Sequence, residues 1–189
     1  MRIIGGELRG SSLFISKDKK IRPLKDLVRE SIFNLLKHSN KISFQLEKSA
    51  VLDLYSGTGS FGLECLSRKA ESVFFVEKDK NAKIILEKNI EKLRIKKKTK
   101  IFFDDALNLI NKKNISKFKF NLIFCDPPFK DQNIEKLIEK IFYKNLLHKN
   151  GIIIIHRNKN TGEKFPNYFK IIDKRFYGIS KIILGRFLT

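Results

Sequence analysis

The residues best suited to chemistry form one short run, Asp126-Pro127-Pro128-Phe129, directly after the apolar stretch 120–125. Two consecutive prolines fix the backbone, carry no N–H groups that need partners, and hold carbonyls outward. An exocyclic base amine is a poor nucleophile because its lone pair is delocalised into the ring. Asp126 and the Pro127 carbonyl, accepting its two N–H bonds, would draw that nitrogen towards tetrahedral geometry and aim its lone pair at a methyl sulfonium. Proximity and orientation would then supply most of the acceleration. Phe129 offers a stacking face for a flipped base. The bland alternative is a rigid turn followed by a core phenylalanine.

A second constellation begins at Asp53, where an apolar stretch runs into Leu54-Tyr55-Ser56-Gly57-Thr58-Gly59-Ser60-Phe61-Gly62. Glycines at 57, 59 and 62 satisfy G-x-G-x-x-G, the pattern of a tight turn that lets a ligand approach backbone at a helix N-terminus. Glu77 follows Gly57 by 20 residues, where an acid can accept bonds from both ribose hydroxyls. These features indicate a nucleoside-containing cofactor without choosing between a dinucleotide and S-adenosylmethionine. Asp53 favours the second, since a carboxylate there would repel a pyrophosphate and suit the amino group of a methionine moiety. Asp53 could equally accept backbone donors in its own turn. Asp105-Ala106 is expected beside the adenine, with helix capping by Asp104 or Asp105 as the competing role.

These residues need a scaffold, and the rest of the pattern supplies one. Alternation predicts strands at 50–54, 72–76, 100–103, 120–125 and 151–156, with helices at 61–68, 79–93, 106–112 and 132–147 between them. Two strand-like runs, 168–173 and 179–187, close the chain without an intervening helix. The expected fold is α/β, a mostly parallel seven-stranded sheet covered on both faces, with an antiparallel hairpin at one edge. Ligands in such sheets bind at the carboxyl ends of the strands. Ahead of this core (50–189), residues 1–40 read as a small hairpin and a helix. That helix carries Leu24, Leu27, Val28, Ile32, Leu35 and Leu36 on one stripe and projects Arg22, Lys25 and Arg29 away from it. Lys96-Lys97-Lys98 reads as a solvated loop.

The chain has 189 residues, 40 Lys+Arg against 20 Asp+Glu, and a formal charge of +20. One domain covers that length, and a core of this size needs neither disulfides nor a structural metal. The charge favours phosphate-rich partners, although Lys, Ile, Asn and Phe share AT-rich codons and part of the basicity reflects that. Two cysteines give no oxidising framework, and His38, His148 and His156 are scattered without ligand spacing, so no metal is expected. Cys125 reads as a buried small side chain. With no long apolar span and no signal sequence, a cytoplasmic location is expected.

The series Asp53 to Gly62, Glu77, Asp105 and Asp126 to Phe129 resembles the Rossmann-like class I methyltransferases that modify exocyclic amines using S-adenosylmethionine. Arg2-Ile3-Ile4-Gly5-Gly6, Arg9-Gly10, Arg22-Pro23, Val28-Arg29-Glu30, Phe33-Asn34-Leu35 and Tyr177-Gly178 narrow this to a resemblance to the RsmD family. That family methylates the N2 amine of one guanine in bacterial small-subunit (16S) ribosomal RNA. The resemblance implies that Asp53, Gly57 and Gly59 line the methionine end of the cofactor, Glu77 its ribose, and Asp105 with Ala106 its adenine. It also implies that Asp126, Pro127, Pro128 and Phe129 meet the guanine, and that Arg9, Arg22, Lys25 and Arg29 face RNA or shape the substrate cleft. Leu24, Ser11 and Phe129 depart from the family's usual Thr, basic residue and Tyr. Lys69 stands in place of a frequent Gly. The same chemistry would also serve a DNA adenine-N6 methyltransferase, and a catalytically inert RNA-binding factor could share the fold.

Overall fold

The computed structural model describes residues 1–16, 18 and 24–188. Seven strands form one sheet: β1 (Ala50–Leu54), β2 (Ser72–Glu77), β3 (Thr99–Phe103), β4 (Phe120–Cys125), β5 (Leu147–Asn158), β6 (Phe169–Tyr177) and β7 (Ser180–Phe187). Their spatial order is β3-β2-β1-β4-β5-β7-β6. The first five run parallel, and β7 pairs antiparallel with both β5 and β6. The chain therefore winds outward from β1 in one direction, then returns to place β4 on the other side of it. That reversal is where a doubly wound sheet opens a crevice.

Successive strand residues point to opposite faces, and the apolar ones divide accordingly. Val51, Val73, Phe75, Phe124 and Ile154 pack on one face with α1 (Asp26–His38), α2 (Ser60–Ser67) and α3 (Lys80–Lys92). Leu52, Leu54, Ile123, Ile153 and Ile155 pack on the other with α4 (Ala106–Asn111) and α5 (Ile134–Tyr143). Near-continuous apolar strands follow from burial on both sides. Among the described residues, no helix is long and apolar enough to cross a membrane.

The N-terminal residues form the expected hairpin, pinned by one antiparallel bridge between Arg2 and Ser12. It lies against the end of α2. Glu64 accepts from the Ile4 and Gly5 amides at 2.8 and 2.7 Å, and the Ser67 hydroxyl accepts from the Leu8 amide at 3.0 Å. Gly6 is required here, because a Cβ at its φ of +79° would stand 2.0 Å from the Ser67 carbonyl oxygen.

Four expectations need correction. Arg29 does not project outward: it is fully buried, with Nη2 bonded to the Arg2 carbonyl and Asp26, and Nε 3.8 Å from buried Glu64. Leu27 is exposed in its stead, because the helix face turned to the hairpin meets a carboxylate and a carbonyl that a guanidinium can satisfy and a leucine cannot. Helix α5 is shorter than 132–147, since Asn145 turns left-handed at φ +51° and sends Leu147 into β5. In turn β5 outruns its apolar stretch, because Arg157 and Asn158 pair with Lys181 and Ser180 of β7. Arg22 lies outside the described residues. The triple lysine at 96–98 forms a single 3-10 turn.

Candidate active site

The loops leaving β1, β2, β3 and β4 enclose a cleft of about 470 Å³ at the crevice, within the size range of a small-ligand site. Its lining brings together Gly57, Glu77, Ala106, Asp126, Pro127, Pro128 and Phe129, with Lys25 at the edge. Asp53 lines a smaller adjoining pocket of about 40 Å³, which shares Leu24, Tyr55, Gly57 and Asp126 with the cleft.

The first rim is built by the turn after β1. Tyr55, Gly57 and Gly59 have φ of +64°, +56° and +89°, so the chain passes through three left-handed residues before α2 begins. A Cβ on Gly59 would lie 2.3 Å from Leu86 of α3, so this glycine serves close packing of the turn rather than a cleft wall. Glu77, at the end of β2, accepts from the Gly57 amide at 2.6 Å through one oxygen and from the Asp79 amide at 2.7 Å through the other. Each carboxylate oxygen has a second lone pair available for a ligand. Asp53 accepts from the Gly62 amide at 3.0 Å. Burial pushes its pKa well above the carboxylate range, the Gly62 bond opposing and the charges of Asp126 and Glu77 adding to the rise.

Asp105 takes the capping role named as its alternative, accepting from the Leu107 amide at 3.0 Å, and its other oxygen pairs with Lys78 at 3.0 Å. Its pKa is lowered, because these bonds outweigh its desolvation. Asp104 and Ala106, its neighbours, are the residues that line the cleft. Short polar side chains at a strand-to-helix junction satisfy the helix's first amides before anything else.

The second rim is the Asp126 loop. The Arg157 guanidinium donates to the Pro128 and Asp131 carbonyls at 3.1 and 2.5 Å, which ties the loop to β5. His156 meets Asp126, with Nδ1 2.7 Å from Oδ1. Tyr55 also lines the cleft, in a left-handed turn at φ +64°, its phenol pushed up by burial and by Asp131. Sequence reasoning set His156 aside and did not single out Arg157, Tyr55 or Ser180. The available signal was positional: His156 ends the apolar run beside β4, at the carboxyl edge where ligands bind. Arg9 is exposed in the hairpin turn and Lys25 is exposed at the start of α1.

The acidic and basic side chains of the lining are Glu77, Asp79, Asp104 and Asp126 against Lys25 and Lys78, together with His156. In a chain of charge +20 that is an acidic hollow. It suits a ligand carrying a sulfonium or ammonium and disfavours a pyrophosphate. The donor set therefore fits S-adenosylmethionine better than a dinucleotide.

A sheet of this order, with a glycine turn after β1, an acid ending β2 and Asp-Pro-Pro-Phe after β4, defines a Rossmann-like class I methyltransferase. A family model described as conserved hypothetical protein 95 matches residues 1–186, and the chain belongs to that family, the RsmD family of the resemblance above. The Haemophilus influenzae protein named ribosomal RNA small subunit methyltransferase D is 30% identical over 180 residues, 95% of this chain and 90% of that one. Its namesake in Buchnera aphidicola subsp. Baizongia pistaciae is 33% identical over 164 residues, covering 87% and 79% of the two chains. The solved structure of yhhF, a candidate methyltransferase of Escherichia coli, superposes with a TM-score of 0.85 at 25% identity, covering 100% of this chain and 98% of that one.

Proposed function

We propose that this protein transfers a methyl group from S-adenosylmethionine to the N2 amine of a guanine in small-subunit ribosomal RNA. The observation that carries the reading is the acidic cleft closed by Asp126 on a proline-fixed loop. Family membership and the names of the relatives support the RNA class, and the resemblance to the RsmD family supports the guanine amine.

The first rim would hold the cofactor. Glu77, fixed by two backbone amides, keeps lone pairs for the ribose hydroxyls. Asp104 and Ala106 flank the adenine, with Asp105 keeping the α4 end in place. Gly57 and Asp53, at the side pocket, accommodate the methionine end. When bound, the cofactor supplies an electrophilic methyl on a good leaving group.

On the second rim Asp126 and the Pro127 carbonyl accept the two N–H bonds of the guanine amine, and Phe129 stacks on the base. This orientation aims the nitrogen lone pair and stabilises the positive charge that develops on it, the two effects that the chemistry needs. Exposed Arg9 and Lys25, with Arg22, would meet RNA phosphate, and their contribution would fall as salt rises.

The test is transfer of radiolabelled methyl from S-adenosylmethionine to small subunits lacking the modification, with large subunits and DNA as parallel substrates and nucleoside analysis of the product. Label in N2-methylguanosine from small subunits is the expected result. Label in N6-methyladenine of DNA would move the substrate to another class, and no label in any of the three would contradict the reading.

A further inference from the structure

The second rim contains an imidazole whose surroundings are specific. Strands β4 and β5 run in parallel register with Cys125 against Ile155, so the next residues, Asp126 and His156, emerge side by side. His156 Nδ1 lies 2.7 Å from Asp126 Oδ1, and Nε2 lies 2.9 Å from the Ser180 hydroxyl at the start of β7. The imidazole also meets the Phe129 ring edge-on, at 5.5 Å between centroids and 77° between planes. Thus one buried ring touches both residues assigned to the substrate base.

The partners determine the hydrogens. An ionised carboxylate only accepts, whereas a hydroxyl both donates and accepts. A neutral imidazole in this place satisfies both neighbours in one arrangement: Nδ1–H donates to Asp126, and the Ser180 hydroxyl donates to Nε2.

We propose that His156, oriented by Ser180, is the positioning residue that fixes the Asp126 carboxylate for the substrate amine. The proposal rests on the reading of Asp126 given above and adds what holds it. The two prolines fix the backbone beyond Asp126 but leave its side-chain torsions open. A bond from Nδ1–H to Oδ1 fixes them and leaves Oδ2 for one N–H of the guanine amine. Arg157, the next residue along β5, holds the same loop through the Pro128 and Asp131 carbonyls. Positions 156 and 157 therefore divide the work, the first on the carboxylate and the second on the backbone.

The experiment compares steady-state methyl transfer to unmodified small subunits by the unsubstituted protein and by His156→Ala, His156→Asn, His156→Gln and Ser180→Ala, with S-adenosylhomocysteine affinity measured by calorimetry. An asparagine amide places its N–H near the position of Nδ1, while a glutamine amide reaches towards Nε2. His156→Ala is expected to lower kcat about 10- to 100-fold, the cost of a misplaced group, with KM for subunits and cofactor affinity unchanged. His156→Asn recovers most of the loss, His156→Gln recovers little, and Ser180→Ala falls between. An unchanged kcat in His156→Ala, or equal recovery by the Asn and Gln variants, overturns the proposal. The imidazole 15N spectrum of the unsubstituted protein decides it even if a variant fails to fold: a proton on Nδ1 supports the proposal, and an Nδ1 without a proton contradicts it. Absence of methyl transfer by the unsubstituted protein would instead sink the reading of function, and the spectrum would still report on the bond to Asp126.

Discussion

The two rims of the cleft are supported in different ways. On the cofactor side the carboxylates are held by their own surroundings: Glu77 by the amides of Gly57 and Asp79, Asp53 by that of Gly62. Every partner lies between the end of β1 and the start of α3. On the substrate side the supports come from far along the chain. His156 and Arg157 reach back to Asp126, Pro128 and Asp131, and Lys25 enters from the N-terminal extension, whose hairpin Glu64 fastens. The first rim is therefore close to a self-contained motif, whereas the second is an assembly that exists only when the whole chain has folded. Damage far from the cleft should reach the second rim first.

The largest expected effect tests that asymmetry. Glu64→Ala removes the acceptor for two hairpin amides and for Arg68, and leaves Arg29 buried with one counter-charge fewer. A loss of about 3–5 kcal/mol is expected, as for breaking other buried pairs, and denaturant unfolding would measure it. An unchanged midpoint would mean that the hairpin is fastened elsewhere.

Glu77→Ala acts on the other rim. Losing charged hydrogen bonds there is expected to weaken S-adenosylhomocysteine binding by about 1.5–3 kcal/mol, roughly 10- to 100-fold. Calorimetry that finds the affinity of the unsubstituted protein would place the ribose away from Glu77.

Asp53→Asn sharpens the same rim by pH. The folded-state pKa of Asp53 is raised, so the native protein must either bind a proton or bury a charge once pH exceeds the ordinary carboxylate range. Stability is therefore lost as pH rises from that range towards the raised value. Asparagine keeps an acceptor for Gly62 without this loss. The difference in melting temperature between variant and parent should be near zero in acid and should favour the variant at neutral pH; a constant offset would refute the assignment.

The smallest effect is expected at Lys69, which holds a φ of +71° in the turn before β2. Glycine removes the Cβ penalty there at some entropic cost, so Lys69→Gly should stabilise by about 0.5–1 kcal/mol. Destabilisation would show that the Lys69 side chain makes compensating contacts.

The same asymmetry explains what the sequence could disclose. Strand β1, the glycine turn and Glu77 were legible because apolar runs, left-handed glycines and a fixed spacing of 20 residues are local properties. Strand β4 matched the apolar run 120–125 for the same reason. Arg29 was misread because its partners outside the helix, Arg2 and Glu64, lie 27 and 35 positions away, and helical periodicity carries no trace of a buried guanidinium. His156 was passed over because a search for metal spacing ignores the strand beside it; only the register of β4 on β5 brings it to Asp126. Asp105 shows the local capping rule at work, since its side chain accepts from the first amides of α4.

The division of labour between the rims is tested most directly with Asp126→Ala, by measuring the single-turnover rate of methyl transfer to small subunits and the affinity for S-adenosylhomocysteine on one preparation. The account predicts that the rate falls by about 10²–10³-fold or more, as when an aligned electrostatic partner is removed, while the affinity stays within several-fold of the parent. Retained rate, or rate and affinity lost together, would contradict it.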